Sequence, residues 1–324
     1  MKEEDIRPQT IFDTFLELAK EDTLTYFGDC LRSVVSCVAC GGQGCYEFEK
    51  FGFEYHRCQR CLTLFVSPRP ALEAFEKYYR ESSSVNYWAE VFYPKTAEAR
   101  REKIWKKKAV MIENICKQKK LQTASIIEIG SGYGILGEEL RKIITNNFIA
   151  IEPNSALGNS CRDKGLKVIP KFLDELVQDD LPTGPKFILS FELIEHLHNP
   201  RQFFKKLRSL MSSGDCFLFT TLSGFGVDIY SLGKHSKSVS PPHHLNFFNP
   251  KSITGLLEAV GFFDVEVTTP GELDIDLLRN GLIHLKDGFL RLLIENSDDN
   301  DLLEWQRLIS DSGYSSHMQV TCMA

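Results

Sequence analysis

Residues Ser125–Gly134, S-I-I-E-I-G-S-G-Y-G, contain the clearest indication of the fold. Its first five residues predict a short buried strand, and the glycines that follow predict a tight turn at the carboxyl end of that strand. Because glycine has no Cβ, the backbone of such a turn can approach a ligand closely. An acid, Glu152, closes the next apolar run, Phe148–Ile151. This layout indicates a nucleotide-type cofactor site at the carboxyl edge of a parallel sheet, with the acid on the ribose hydroxyls.

The charge of the turn narrows the choice of cofactor. Residues Gly132–Gly137 match the G-x-G-x-x-G pattern of dinucleotide sites. In such sites the first glycine follows the strand directly, and counting from Gly130 places Ile135 where the third glycine belongs. Glu128 beside the turn would repel a pyrophosphate but suits a cationic ligand. S-adenosylmethionine has an ammonium group, a sulfonium and a ribose without phosphate, so it is the predicted cofactor.

Three segments resemble the class I S-adenosylmethionine-dependent methyltransferases from about residue 121 to the end of the chain. Glu128–Gly134 resembles motif I of that family, Glu152 falls at its ribose-binding acid, and Phe187–Glu192 resembles its fourth strand. The resemblance implies an α/β fold with a doubly wound, Rossmann-like, seven-stranded methyltransferase sheet. The cofactor-binding residues it implies are Glu128, Gly130, Ser131, Gly132, Tyr133, Gly134, Glu152, Phe172 and Phe191.

Strand and helix patterns alternate along the same region, which predicts a parallel sheet with helices on both faces. The predicted strands are 125–129, 148–151, 167–169, 187–190, 216–221 and 263–267, with an antiparallel seventh strand at 317–322. The predicted helices include 135–144, 156–164, 200–211 and 252–260. Residues 273–309 are helical and amphipathic, which predicts either an insertion over the sheet edge or a dimer contact.

Four cysteines near the start of the chain form a separate motif. Cys37 and Cys40, then Cys58 and Cys61, give two C-x2-C pairs separated by 17 residues. This spacing is typical of a closed zinc site with four thiolate ligands, which plays a structural role. The segment from Tyr55 to Pro70 also resembles the zinc-ribbon leader of many bacterial methyltransferases. Several of those are associated with sugar or cell-surface polysaccharide modification, so the resemblance implies a sugar-type acceptor.

A second group of reactive side chains follows the predicted fourth strand. Glu192, Glu195 and His196 have the spacing of one helical face, and His243 and His244 follow two prolines farther on. These five residues are the candidate catalytic residues. One reading is a bound divalent cation such as Mg²⁺, and another is a histidine general base. Glu192-x-x-Glu195-His196 resembles the metal motif of Mg²⁺-dependent small-RNA 2′-O-methyltransferases, and it equally resembles ubiquinone-type O-methyltransferases.

The residue pattern predicts four parts in the chain. Residues 1–35 form a helical segment, 36–70 the zinc ribbon, 71–120 a helical linker or lid, and 121–324 the methyltransferase domain with a helical insertion at about 273–312. The basic residues Arg100, Arg101, Lys103 and Lys106–Lys108 are expected on a solvated helix face. The net charge of −6 disfavours a broad nucleic-acid footprint. The sequence contains neither a signal peptide nor a membrane-spanning run, so a cytoplasmic location is expected.

These observations together predict an S-adenosylmethionine-dependent methyltransferase. The expected acceptor is a small molecule or a sugar or polysaccharide precursor, methylated on oxygen or carbon. Two alternatives remain: a Mg²⁺-dependent RNA 2′-O-methyltransferase that uses Glu192, Glu195, His196 and a later histidine, and a non-catalytic methyltransferase-like binding module. A homodimer is compatible with either.

Overall fold

The computed structural model describes the whole chain, residues 1–324. It begins with two helices and five short strands: α1 Glu3–Ile6, α2 Gln9–Phe27, β1 Arg32–Ser33, β2 Gly44–Lys50, β3 Phe53–Cys58, β4 Leu64–Val66 and β5 Arg69–Pro70. The expectation of a helical segment over residues 1–35 is wrong beyond Phe27. Gly28 is a poor helix former, and β1 pairs antiparallel with β5 instead.

The cysteine segment folds as a small antiparallel sheet. Strands β2 and β3 form an antiparallel hairpin, as the alternation of aromatic and polar residues from Tyr46 to Tyr55 predicts, and β4 pairs with β3. A fourth strand at Asn246–Phe247 pairs with β4 although it comes from a much later part of the chain. The ribbon is therefore joined by main-chain hydrogen bonds to the loop that follows the candidate histidines.

An almost continuous helical segment leads from the ribbon to the main sheet. It contains α3 Leu72–Glu81, α4 Ser83–Tyr87, α5 Tyr93–Arg100 and α6 Lys106–Gln118, with π-helical turns at Trp88–Phe92 and Arg101–Trp105. The apolar residues Ala109, Ile112 and Cys116 of α6 are buried, as their helical spacing predicts. Helix α6 therefore packs on one face of the main sheet.

The remainder of the chain alternates strands and helices. Its strands are β6 Ser125–Ile129, β7 Phe148–Ile151, β8 Lys167–Ile169, β9 Lys186–Phe191, β10 Cys216–Leu222, β11 Asn246–Phe247, β12 Phe263–Thr268 and β13 His317–Met323. Its helices are α7 Ile135–Leu140, α8 Ser155–Asp163, α9 Pro200–Leu210, α10 Val227–Leu232, α11 Pro250–Ala259, α12 Asp274–Asn280, α13 Gly288–Asn296 and α14 Asp299–Asp311. Short 3₁₀ turns lie at Leu173–Glu175, Gln178–Asp180, Ile194–His196, Gly233–His235 and Leu282–His284.

Seven of these strands form one sheet in the order β12-β13-β10-β9-β6-β7-β8. The five central and edge strands from β10 to β8 run parallel, whereas β13 is antiparallel to both of its neighbours. The doubly wound α/β sheet and its antiparallel final strand are confirmed. The strand order reverses beside β6, so the carboxyl ends of β6 and β9 border the crevice where such sheets bind ligands.

Apolar side chains alternate between the two faces of the sheet. Ile127 of β6 packs in a cluster with helices α9 and α11, while its neighbour Ile126 packs in another with α6, α7 and α8. This alternation follows from the two-residue period of a strand. No helix of the chain is both long enough and apolar enough to cross a membrane.

Candidate functional site

The glycine turn after β6 forms an open cradle. Gly130, Gly132 and Gly134 all have positive φ, and Gly134 is the N-cap residue of α7. A Cβ at Gly132 would meet no atom within 4 Å, so the space above this residue is free for a ligand. Ser131 lies within the turn, and its hydroxyl donates a hydrogen bond to the Glu128 carbonyl over 3.0 Å.

Glu152 at the end of β7 is tied to this cradle. One carboxylate oxygen accepts a hydrogen bond from the Gly132 amide over 2.8 Å, and the other accepts one from the Asn154 amide over 3.0 Å. Burial raises the pKa of Glu152, and the two amide donors counteract that shift. A carboxylate oxygen accepts more than one hydrogen bond, so each oxygen retains capacity for a ligand hydroxyl.

The acid inside the cradle, Glu128, lacks a partner. Its Oε2 atom is buried and accepts no hydrogen bond, and burial raises the pKa of Glu128 to about 8. The indole Nε1 of Trp105 is a buried donor that likewise lacks an acceptor. Both side chains lie near Tyr93, whose pKa burial raises to about 12. One free acceptor and one free donor suit the ammonium and carboxylate ends of an amino acid, so these residues fit the methionine part of S-adenosylmethionine.

The helical segment α4–α6 closes over this cradle. Tyr93 of α5 stacks on Tyr133 of the glycine turn, with ring centroids 3.9 Å apart, and the Tyr133 hydroxyl donates to the Ala89 carbonyl. Phe191, the last residue of β9, has the edge of Trp105 against it. By contrast, Phe172 lies after β8 with 64 % of its surface exposed, so its adenine-binding role rests on the resemblance alone.

The two acids after β9 point to different partners. Glu192 has φ of 51°, and the 3₁₀ turn begins only at Ile194. The Oε1 atom of Glu192 accepts from the Thr220 hydroxyl over 2.6 Å, whereas Glu195 Oε2 accepts from the Thr221 hydroxyl over 2.7 Å. The expectation that Glu192, Glu195 and His196 share one helical face is therefore wrong, because the left-handed residue Glu192 interrupts the helical path.

These two acids also differ in charge. Enclosure favours the neutral form of Glu192, but His317 and Lys108 outweigh it and hold the pKa of Glu192 at about 2. The Lys108 ammonium lies 3.8 Å from Glu192 Oε1. Burial, reinforced by the charge of Glu192, raises the pKa of Glu195 well above its usual value. The surroundings therefore shift the pKa values of the two acids in opposite directions, and Glu192 is ionised near neutral pH.

The histidines occupy one wall beside Glu195. The rings of His196 and His244 have centroids 4.9 Å apart, and that of His243 lies 6.2 Å from His196. His244 Nδ1 donates to the Ser238 carbonyl over 2.7 Å, which leaves the lone pair on Nε2. His243 Nε2 is instead engaged with the Tyr78 hydroxyl at 2.7 Å. Burial lowers the pKa of His196 to about 4 and that of His244 to about 3, so both rings are neutral.

Two groups of side chains have metal-ligand geometry. The sulfur atoms of Cys37, Cys40, Cys58 and Cys61 all lie within 4.8 Å of one another, and the pairs Cys37–Cys61 and Cys40–Cys58 are each 3.5 Å apart. A tetrahedral zinc with Zn–S bonds of about 2.3 Å separates its sulfurs by about 3.7 Å, so the four thiols fit zinc. Glu195, His196 and His244 form the second group, also within 4.8 Å, and Glu192 does not belong to it.

Sequence reasoning missed several residues of this site. It placed the whole basic run on a solvated face, which is right for Lys106 and Lys107 but wrong for Lys108, whose side chain is only 12 % exposed. Thr220, Thr221 and His317 were assigned only to strands. The carboxyl end of β10 adjoins that of β9, so the expected parallel pairing of these strands is the signal that could have placed the two threonines beside the two acids.

We expect substitutions at two of the glycines to separate cofactor binding from stability. In Gly132→Ala the methyl group enters the free space of the cradle and costs about 1–2 kcal/mol of backbone strain, so affinity for S-adenosylhomocysteine falls while the fold survives. In Gly134→Ala the Cβ would lie 2.9 Å from the Cys161 sulfur and from Leu166, so the protein mainly loses stability. Calorimetric titration and thermal unfolding would measure both. Unchanged affinity in Gly132→Ala would remove the cradle from the cofactor site.

Comparisons with known proteins agree with this architecture. A family model described as a methyltransferase domain matches residues 96–267, more than half of the chain. No curated protein sequence matches.

Solved structures resemble the chain at low sequence identity. An S-adenosylmethionine-dependent methyltransferase from Archaeoglobus fulgidus is 16 % identical over 67 % of this chain and 94 % of that one, with a TM-score of 0.44. A protein from Thermotoga maritima described as a possible histamine N-methyltransferase is 16 % identical over 61 % and 81 %, with a TM-score of 0.40. The plantazolicin methyltransferase BpumL, solved with S-adenosylhomocysteine, is 12 % identical over 76 % and 92 %, with a TM-score of 0.47.

Proposed function

The chain belongs to the methyltransferase domain family, and on this premise we propose that it transfers a methyl group from S-adenosylmethionine to an oxygen or carbon atom of a small-molecule or sugar-precursor acceptor. One observation carries the proposal. The glycine cradle with Glu128 and Glu152 lies at the carboxyl ends of β6 and β7, and the neutral histidine wall combines His196, which follows the adjacent strand β9, with His243 and His244 from the loop after β10. Cofactor and acceptor groups thus meet at one edge of the sheet.

Each part of the cradle has a distinct role in this proposal. Glu152 accepts hydrogen bonds from the ribose hydroxyls, and Glu128 accepts one from the ammonium group. The backbone of Gly130–Gly134 lies close to the cofactor because its glycines carry no Cβ. S-adenosylmethionine, when bound, supplies an electrophilic methyl group on its sulfonium. Phe191 and Trp105 pack against each other at the end of β9, and in this proposal their apolar surface limits the access of water to the cofactor.

The acceptor must lose a proton as it is methylated, and His244 is the proposed base. Its Nδ1–H is held by the Ser238 carbonyl, so Nε2 is the atom that takes the proton. Burial lowers the pKa of this ring and of its neighbour His196, and the ionised Glu192 offsets part of that shift. His243, engaged with Tyr78, positions the loop rather than accepting the proton.

Glu152→Ala tests the cofactor assignment. Because the variant loses the acceptor for the ribose and the tie to Gly132, we expect affinity for S-adenosylhomocysteine to fall about 10- to 100-fold. Calorimetric titration against wild type measures the change, and Glu258→Ala, at an exposed glutamate on α11, is the matched control. Equal binding by Glu152→Ala would refute the ribose assignment. Absence of binding by wild type would favour the non-catalytic module.

We assign the four cysteines to a structural zinc. Cys37, Cys40, Cys58 and Cys61 would hold the ion as four thiolates, which leaves no coordination position open for chemistry. The Gly42 and Arg60 amides, each 3.4 Å from a cysteine sulfur, support this arrangement. The division into a helical start, a zinc ribbon, a helical lid and a methyltransferase domain with an insertion is part of the same proposal, and a homodimer stays a prediction.

A second candidate function is metal-dependent methylation of RNA at a 2′-hydroxyl. The group Glu195, His196 and His244 favours it, because a carboxylate and two imidazoles can hold a divalent transition-metal ion, whereas the expected Mg²⁺ prefers oxygen ligands. The acidic net charge counts against RNA. Labelled methyl transfer into fractionated cell extract, with and without EDTA, decides between them. Label in sugars that survives EDTA supports the first function, and label in RNA that EDTA abolishes supports the second.

A further inference from the structure

Helix α13 has more apolar surface than the core of the chain covers. Five of its nine residues are apolar, and three of them, Leu290, Leu293 and Ile294, pack in a cluster with residues of α12 and α14. The other two, Phe289 and Leu292, lie one helical turn apart and are 69 % and 61 % exposed. A helix that is apolar all round is normally covered on every side. The outer face of α13 therefore lacks a covering element within this chain.

The charged side chains around this outer face are mostly acidic. From the N-cap of α13 at Asp287 to the end of α14 at Asp311, the chain has seven acids and two basic residues, and all nine are exposed. Their net charge is −5, compared with −6 for the whole chain, so nearly all of the net negative charge lies on these two helices.

Most of these acids have no basic partner. Glu295 accepts a hydrogen bond from Arg291 over 3.0 Å, and Asp299 lies 3.5 Å from Arg279. The remaining five form no ion pair: Asp287, Asp298, Asp301, Glu304 and Asp311. The outer face of α13 therefore combines exposed apolar side chains with uncompensated negative charge.

This charge decides among the partners that could cover the apolar side chains. A second copy of the chain would bring two acidic surfaces together, and an anionic membrane surface would repel the acids as well. A basic segment with apolar side chains of its own buries Phe289 and Leu292 while its lysines and arginines approach the acids. An amphipathic helix supplies both features, because residues three or four apart share one face and charged residues flank it.

We propose that α13 and α14 form a docking face for a basic amphipathic helix of another protein. The docking face consists of Phe289 and Leu292, surrounded by the exposed acids of the two helices. Ile283, in the 3₁₀ turn that precedes α13, is 81 % exposed and adds apolar surface to the same insertion. The docking face includes no residue of the glycine cradle or the histidine wall, so the proposal is independent of the proposed methyl transfer.

A synthetic peptide of leucine and lysine, about five helical turns long with its leucines on one face, is the probe. Fluorescence anisotropy of the labelled peptide measures its binding to the full chain. We expect wild type to bind the peptide, with an affinity that falls as salt is added. The double variant Phe289→Gln and Leu292→Gln should bind about 10- to 100-fold more weakly, because the apolar contacts are lost.

The controls separate the docking face from nonspecific attraction. Leu24→Gln combined with Val110→Gln changes two apolar residues on other helices, 75 % and 51 % exposed, and should bind as wild type. Glutamine is a good helix former, so both double variants should keep the wild-type unfolding temperature and the wild-type affinity for S-adenosylhomocysteine. A peptide with the same residues in scrambled order, and one with glutamate in place of lysine, should each bind at least about 10-fold more weakly.

Several results would overturn the proposal. Wild type might show no binding of the lysine peptide, the Phe289 and Leu292 double variant could bind it as tightly as wild type, or either control peptide could match it. Sedimentation that shows wild-type dimers, dissociated in the same double variant, would assign the docking face to a second copy. Binding of wild type but not the double variant to phosphatidylcholine vesicles, with or without phosphatidylserine, would assign it to a membrane. Failure of wild type to bind S-adenosylhomocysteine would instead count against the methyl transfer alone.

Discussion

Cys58→Ser is expected to abolish stoichiometric zinc and to unfold the small ribbon sheet. Cys58 closes β3 and lies 3.5 Å from Cys40 across the proposed metal site, so its loss leaves three thiolates for a four-coordinate ion. Structural zinc sites contribute about 10–16 kcal/mol of apparent binding free energy near neutral pH. The ribbon strands β2, β3 and β4 form too small a sheet for apolar burial to replace that free energy.

The same substitution should also disturb the position of the histidine wall. The ribbon supports the loop that carries His244: Tyr55 of β3 donates its hydroxyl hydrogen to the His244 carbonyl over 2.8 Å. One residue later, the Leu245 carbonyl accepts the Val66 amide over 3.0 Å. Asn249, beyond this loop, donates to the Cys61 carbonyl over 2.8 Å. A ribbon without its metal therefore releases three anchors of this loop, and methyl transfer should fall with the zinc content.

Metal analysis, thermal unfolding and S-adenosylhomocysteine titration together measure this effect. Cys45→Ser is the matched control, because Cys45 lies in β2 of the same ribbon but is exposed and outside the cysteine cluster. We expect Cys58→Ser to retain cofactor binding, since the cradle lies on β6 and β7 rather than on the ribbon. Full zinc occupancy in Cys58→Ser would show that this cysteine is not a ligand.

The positions of the strands along the chain were predictable from the sequence, because most of the apolar runs are bounded by turn residues or by an acid. Gly130 and Glu152 could be placed at one sheet edge for the same reason, since parallel strands end together. The ribbon hairpin was predictable from the alternation of aromatic and polar residues between Tyr46 and Tyr55. These features depend on residues close in sequence or on a general rule of sheet topology.

The surroundings of the acids were not predictable, because they depend on contacts between distant segments. Glu192 adopts a left-handed conformation, which is uncommon for a glutamate and could not be predicted from the residue type. Its carboxylate faces Thr220 and Lys108. The burial of Arg100 depends on how α5 lies on the preceding helices. Periodicity distinguishes a buried helix face from an exposed one, but it does not reveal a polar face that is covered by another element of the same chain.

His244→Asn is expected to reduce the rate of methyl transfer by about 10²- to 10⁴-fold, the usual contribution of a general base. Asparagine retains an N–H that can donate to the Ser238 carbonyl, so the loop should keep its position while the proton-accepting Nε2 is lost. Binding of S-adenosylhomocysteine should equal that of wild type, because the cradle is untouched. Labelled transfer under single-turnover conditions would isolate the chemical step.

Substitutions of two other histidines test whether the effect is specific to the Nε2 atom of His244. His243→Asn removes one of the two partners of the Tyr78 hydroxyl, the other being Ser84, so it should lower the unfolding temperature more than His244→Asn while leaving more of the transfer rate. His284→Asn, at an exposed histidine outside the wall, should change neither quantity. If His244→Asn transferred methyl groups at the wild-type rate, the proton would have to leave by another route. The carboxylate of Glu192, ionised and tied to Thr220 at the end of β10, would then be the next candidate.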